Sequence, residues 1–378
     1  MSNGYKPFGI CDNHTHLLYH EPVETSVKKF DNFMTCYGYE RLVLLSVFQM
    51  IKEEDLLRPL KALYVKHRLN SLHPERKVYA YGNIYHNYGE RDTAAGYLSQ
   101  IKLMYDLGFD GIKMLEGKPA MRKRLGKRLD DPVFDAFYSF AEENNFPITM
   151  HLGDPPHFWD YSKLSDYARK AGWFCDETYP KLEEMQDEVR CILRKHPKLK
   201  LTMAHFFFIS QDYDEAVRLF EEFPNLSFDL TPGGIMYSNF QSRLDDWREF
   251  FVRYSDRIYY GTDICNIASL PDDTAEFISK RPVGYVVDLV RNMLETSEEF
   301  EDRTYGRLRP LNLDDGTLSN IYHDNMVNLL GDGREINTSA AAVYAYSLLE
   351  AYLGGEFASE NDERGNLETI YKYFSELQ

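Results

Sequence analysis

Short runs rich in Val, Ile, Tyr and Phe recur along the 378-residue chain, each followed by a charged stretch whose apolar positions return at helical period. The apolar runs begin near Phe8, Arg41, Lys77, Phe109, Phe146, Leu199, Leu226 and Arg257. Successive starts lie 27 to 37 residues apart, except for 53 between the fifth and the sixth. Parallel strands need a helical crossover of about this length, so eight strand-then-helix units predict an α/β fold, a (β/α)8 TIM barrel. No Gly-x-Gly-x-x-Gly follows the first run, which argues against an open doubly wound sheet with a dinucleotide site.

The intervening helices carry readable ends. Asp131-Pro132 supplies an N-cap acceptor and a first-turn proline for a helix over 133–145. A helix over 93–107 is stopped by Gly108, and those over 182–196 and 213–223 end at Pro197 and Pro224. Two segments exceed the repeat. Residues 155–179, after the fifth strand, hold His157, Phe158, Trp159, Tyr161, Trp173 and Phe174, and a barrel would place this insertion over its C-terminal face. A second extension runs over 266–310. We expect residues 1–333 to form the barrel and 334–378, with an apolar stretch over 340–353, to form a helical tail on the barrel or on a partner subunit.

Composition narrows the class. With 43 Lys and Arg against 60 Asp and Glu, the chain carries −17, which disfavours nucleic acid and anionic membrane surfaces as partners. No apolar run approaches a membrane span and no secretory leader pattern opens the sequence. Five scattered cysteines without a Cys-x-x-Cys pair read as reduced thiols, hence a cytoplasmic location.

Candidate chemistry sits at strand ends. The first strand runs into His14-Thr15-His16, whose alternate residues face one side. Lys113 ends the fourth run, His151 the fifth, His205 the sixth and Asp263 the eighth. In a barrel these ends converge on one mouth. Gathering a lysine, an aspartate and four histidines there is costly without compensation, and a divalent cation compensates; imidazole and carboxylate suit zinc. The expected ligands are His14, His16, His151 and Asp263. His86 after the third strand, and His157 and Trp159 in the insertion, are candidate substrate contacts. Asp154 orients His151 or caps a turn. The basic cluster at 122–128 attracts an anionic substrate or is a solvated loop, Phe206 to Phe208 read as core, and His20, His67, His73 and His196 read as surface.

This ordered set resembles the amidohydrolase superfamily. Gly111-Ile112-Lys113, Met150-His151-Leu152-Gly153, Tyr260-Gly261-Thr262-Asp263 and a late helix through His323-Asp324-Asn325 to Gly331 are similar to the family 2 branch of aminocarboxymuconate-semialdehyde decarboxylase-like enzymes. The resemblance spans 8–331. It implies a metal-dependent enzyme with one ion on His14, His16, His151 and Asp263, and two ions if Lys113 is carboxylated and bridges them. The leading expectation is hydrolysis of a C–N, C–O or C–C bond in a small organic substrate by an activated water, with Asp263 moving the proton, His205 holding the water or the oxyanion, and Lys113 pairing with an anion. The alternatives are non-oxidative decarboxylation of an unsaturated or aromatic acid, and a catalytically silent barrel used for binding. A small molecule is the expected partner and a homodimer the expected assembly.

Overall fold

The computed structural model describes residues 6–17, 21–47, 57–86, 92–264, 283–355 and 363–378. Eight strands, β1 (Ile10–Thr15), β2 (Tyr39–Leu45), β3 (Lys77–Asn83), β4 (Gly111–Gly117), β5 (Ile148–Leu152), β6 (Leu201–Met203), β7 (Leu226–Asp229) and β8 (Ile258–Tyr259), lie side by side in chain order, all parallel. The sheet closes on itself through the segment after β8. Asn13 donates its amide to Tyr260 O (3.0 Å), Asp263 to His14 O (2.8 Å) and His16 to Ile264 O (2.7 Å). Asp12 reinforces the seam, its carboxylate accepting from the Thr262 hydroxyl at 2.6 Å and the His14 amide at 3.0 Å. The expected (β/α)8 barrel is present.

Strand alternation divides the side chains. Leu42, Leu44, Val78, Ala80, Ile112 and Met114 join the large core between sheet and helices, while Cys11, Val43, Leu45, Tyr79 and Tyr81 form a separate cluster with Met326. Along β1 the chain advances three residues, Asp12 to Thr15, while β2 advances two, Leu42 to Leu44. Such a bulge re-aims side chains, and here it falls on His14.

Helix ends follow the local chemistry. Thr93 accepts from the Gly96 amide at 3.1 Å to open Ala94–Leu107, and Gly108 closes it at φ +93°, where a Cβ would be strained. Asp131 caps the turn Pro132–Phe134 through the Val133 amide, and that turn runs on into Asp135–Glu143. The tail forms two helices, Thr338–Leu353 and Arg364–Glu376, which pack on each other and on Leu57–Leu72. A buried Lys61–Glu363 ion pair at 2.7 Å and a His67–Tyr373 hydrogen bond at 2.9 Å fix this docking.

Three local expectations are corrected. Lys113 is the third residue of β4 rather than its last, because the strand begins at Gly111 and continues to Gly117. His196 is buried against the Tyr138 ring instead of at the surface. Arg122, in the basic cluster, is consumed by a two-pronged ion pair with the buried Glu188 (2.8 and 3.0 Å), so it does not serve an anion. His20, Cys265 and the start of the 266–310 extension lie outside the described residues; the rest of that extension holds the helix Val283–Glu295 and an antiparallel pair, Phe300–Asp302 with Gly306–Leu308. No helix among the described residues is long and apolar enough to cross a membrane.

Candidate metal centre and active site

β1 and the segment after β8 bring His14, His16 and Asp263 together. One donor atom from each lies within 4.8 Å of the others. His14 Nδ1 donates to Asp229 Oδ2 at 2.7 Å, and His16 Nδ1 donates to Leu45 O at 2.8 Å. A carboxylate and a carbonyl only accept, so both rings carry a proton on Nδ1, and in the neutral imidazole this leaves Nε2 free to act as a ligand. Those two Nε2 atoms are 3.1 Å apart. Asp263 Oδ1 is 3.2 Å from His16 Nε2 and 3.6 Å from His14 Nε2.

Three acceptors facing one another repel unless a cation lies between them. Tetrahedral ligation at 2.0–2.1 Å spaces donors about 3.3 Å apart, close to what is observed, so the residues fit a divalent ion. Protonation does not substitute for it at His14, which burial, helped by Lys113, pulls down to about 4 against the opposing Asp229 and Asp263. Asp263 sits where positive charge is favoured: burial alone would raise its carboxyl, but the ring of histidines around it, His16 first and then His14 and His205, holds it well below the usual carboxylate range whenever those rings share a cation or a proton.

Asp229, at the end of β7, organises the site from behind. Its Oδ2 accepts the hydrogen bond from His14 Nδ1, while Oδ1 accepts from the His205 amide at 2.8 Å and from the Thr231 hydroxyl. Burial favours the neutral acid, but His14, and after it His205 and Lys113, keep Asp229 far below its usual range. Such a carboxylate fixes the ligand's tautomer and orientation. Sequence reasoning passed over it, although Leu226–Asp229 ends on an ionisable residue just as the fifth and eighth runs do.

His205 follows β6 on an unusual backbone. His205, Phe206, Phe207 and Phe208 all have positive φ, between +51° and +56°. Each L-residue held there costs on the order of 1 kcal/mol or more. The Phe206 ring offsets this by packing among Phe228, Phe240, Trp247 and Phe251, with ring centres 4.9–5.9 Å apart. Gly233 lets the turn approach, since a Cβ there would meet His205 Cβ at 2.7 Å.

His151 stands across the cavity. Its ring centre is 4.8 Å from that of His205, and its Nε2 donates to Gly153 O at 3.0 Å rather than joining the three-donor cluster. Asp154 Oδ1 is 3.8 Å from that nitrogen and 3.1 Å from Lys118 Nζ. Lys113 is fully buried with Nζ 3.3 Å from His14 Nε2, and burial brings it down to about 8 against the pull of Asp229, Asp263 and Glu116.

His86 is buried between Glu116 Oε1 (2.8 Å) and Asp92 Oδ1 (3.4 Å). Trp159 packs on the core with its indole N–H on Pro180 O at 3.1 Å, and His157 Cε1 lies near Gly234. The insertion reaches the cavity instead through Phe158, Trp173, Phe174 and Tyr179, which share a chamber with His151, His205 and Asp263.

The model of the Amidohydrolase family matches residues 86–331. The chain belongs to this family. The match takes in Lys113, His151, His205, Asp229 and Asp263, and it begins after His14 and His16. Among solved structures, the 4-oxalomesaconate hydratase of Rhodopseudomonas palustris is 13% identical, with 90% of this chain and 99% of that one covered and a TM-score of 0.52. An amidohydrolase II is 14% identical over 85% and 99%, with a TM-score of 0.50. A 2,6-dihydroxybenzoate decarboxylase from Rhizobium is 15% identical over 85% and 98%, at 0.48. At these identities the likeness is one of fold. No curated protein matches the chain. As an amidohydrolase, the protein is a metal-dependent hydrolase or decarboxylase of small molecules, not a silent barrel.

Proposed function

We propose that His14, His16 and Asp263 hold one zinc ion and that the enzyme hydrolyses a small organic substrate. The observation that carries this reading is the pair of Nε2 atoms 3.1 Å apart, faced by a carboxylate oxygen at 3.2 Å. When bound, the ion supplies Lewis acidity and makes water a nucleophile near neutral pH.

The chain's own residues supply the rest. Asp263, ionised and reachable from the cavity, takes the proton of the attacking water and delivers it to the leaving group. The Thr231 hydroxyl spends its proton on Asp229, so Thr231 Oγ1 accepts from His205 Nδ1 at 3.2 Å. That leaves His205 Nε2 an acceptor, suited to hold the water rather than an oxyanion. Lys113 remains an unmodified ammonium beside His14 and meets the negative charge of the substrate. His151 is the proposed fourth ligand; it serves once its Nε2 leaves the Gly153 carbonyl. We assign His86, His157 and Trp159 to holding the walls of the site rather than to the reacting group.

Elemental analysis tests the centre: near one zinc per chain is expected, falling to background in the His14→Ala/His16→Ala double variant. Two metals per chain with a 44 Da addition on Lys113 would replace this reading with the bridged one. Decarboxylation is the second reading, favoured by two lysines, Lys113 and Lys118, on one chamber. Carbon dioxide release without incorporation of labelled water oxygen would establish it. The four described cysteines are free, in keeping with a cytoplasmic setting. Val343, Tyr346 and Leu353, exposed on one tail helix, support a homodimer, which sedimentation tests.

A further inference from the structure

The cavity has two chambers. The inner one, about 470 Å³, is lined by His14, His16, Lys113 and Asp263. The outer one, about 310 Å³, adjoins it, and Lys118, His151, His205 and Asp263 line both. Much of its lining is aromatic. Phe158 stacks on Trp173 at 5.5 Å and 29°, Phe208 stacks on the His205 ring at 5.3 Å and 29°, and Lys123 lies 3.9 Å over the Tyr179 ring. These contacts hold the ring planes in place before anything binds.

We infer that the outer chamber is a specificity subsite for a flat, apolar, one- or two-ring group of the substrate, distinct from the group that reacts in the inner chamber. A cavity of roughly 150 Å³ already holds benzene, so the volume suits such a group. Flat walls favour a planar partner, because aromatic pairs gain contact energy beyond the area they bury. The insertion's other large aromatic shows the contrast: Trp159 is spent on Pro180 O and the core, whereas Trp173 faces the chamber. The inference deepens the proposed function and rests on it for which end of the substrate reacts.

Calorimetric titration with 2-naphthoate and with its saturated counterpart decahydro-2-naphthoate tests the subsite without turnover. The two probes match in charge and carbon number and differ in flatness. The metal-loaded protein is expected to bind naphthoate about tenfold more tightly. Trp173→Ala should erase that preference, while Trp173→Phe keeps most of it. Should Trp173→Ala lose its thermal transition, Phe208→Leu reads a second ring of the lining. Equal affinities for the two probes, or a preference untouched by both Trp173→Ala and Phe208→Leu, would overturn the inference. Repeating the titration on the His14→Ala/His16→Ala variant separates the two claims. A naphthoate preference that survives there leaves the subsite standing whatever the metal analysis shows.

Discussion

The donor cluster and the aromatic insertion share one cavity but are built in opposite ways. His14, His16, Asp229 and Asp263 hang from strand ends or from backbone that closes the barrel, and each is fixed by buried hydrogen bonds. The insertion at 155–179 is made of short turns, Pro156–Trp159, Tyr161–Lys163 and Asp166–Lys170, around its own small cluster of Phe158, Leu164 and Ala168. Chemistry demands sub-ångström placement, which a closed sheet provides; selectivity demands shape, which a loop varies without disturbing the sheet.

Lesions in the first region should remove metal, and lesions in the second should only weaken substrate binding. The largest effect belongs to His14→Ala with His16→Ala: metal lost and kcat/KM down roughly a thousandfold or more, with the far-ultraviolet spectrum unchanged. Asp229→Asn comes next. It keeps every ligand but loosens the His14 tautomer, so metal affinity should fall about 10- to 100-fold in a competition titration with a chelator. Unchanged affinity would break the claim that Asp229 governs the centre.

A pH experiment reads the framework that both regions stand on. Burial lowers His86, but hydrogen bonds with Asp92 and Glu116 outweigh it and raise it to about 9. A histidine raised in the folded state stabilises fully below its unfolded value near 6.5, and that stability is lost as pH climbs through 9. Denaturant titration should therefore show a fall of about 2 kcal/mol between pH 6 and pH 8, absent in His86→Gln. The smallest effect is Leu164→Ala, which hollows the insertion's own cluster. KM should rise about threefold while metal content stays at the level of the parent protein, and any loss of metal would show that the regions are coupled.

Much of this organisation was legible in the chain. Apolar runs located all eight strands because parallel strands buried on both faces must be apolar, and Thr93, Gly108 and Asp131 marked helix ends through chemistry that needs no tertiary context. Strand boundaries were less legible: β8 is two residues long, shorter than the apolar run that ends at Asp263, and beyond it backbone bonds to β1 close the barrel. His14, His16 and Asp263 were found by their position at strand ends. Asp229 obeys the same rule and was missed because a lone aspartate before Leu230 reads as a strand terminator. The turn at His205 carried no signal, since positive φ is read from glycine and four L-residues in succession do not advertise it. The split within the insertion, Trp173 to the cavity and Trp159 to the core, depends on packing between residues far apart in sequence.

The turn from His205 to Phe208 ties function to a place no substrate visits. Its backbone persists because Phe206 is gripped by Phe228, Trp247 and Phe251 on the far side of the sheet. In a genetic screen, conservative replacements at Phe251 or Trp247 would score as losses of activity in a soluble, folded protein, mimicking lesions at His205. Two such replacements would not combine additively, because once the turn has relaxed a second has little left to release. In this family member, the tolerance of an aromatic cluster to mutation is set by a histidine on the opposite side of a strand.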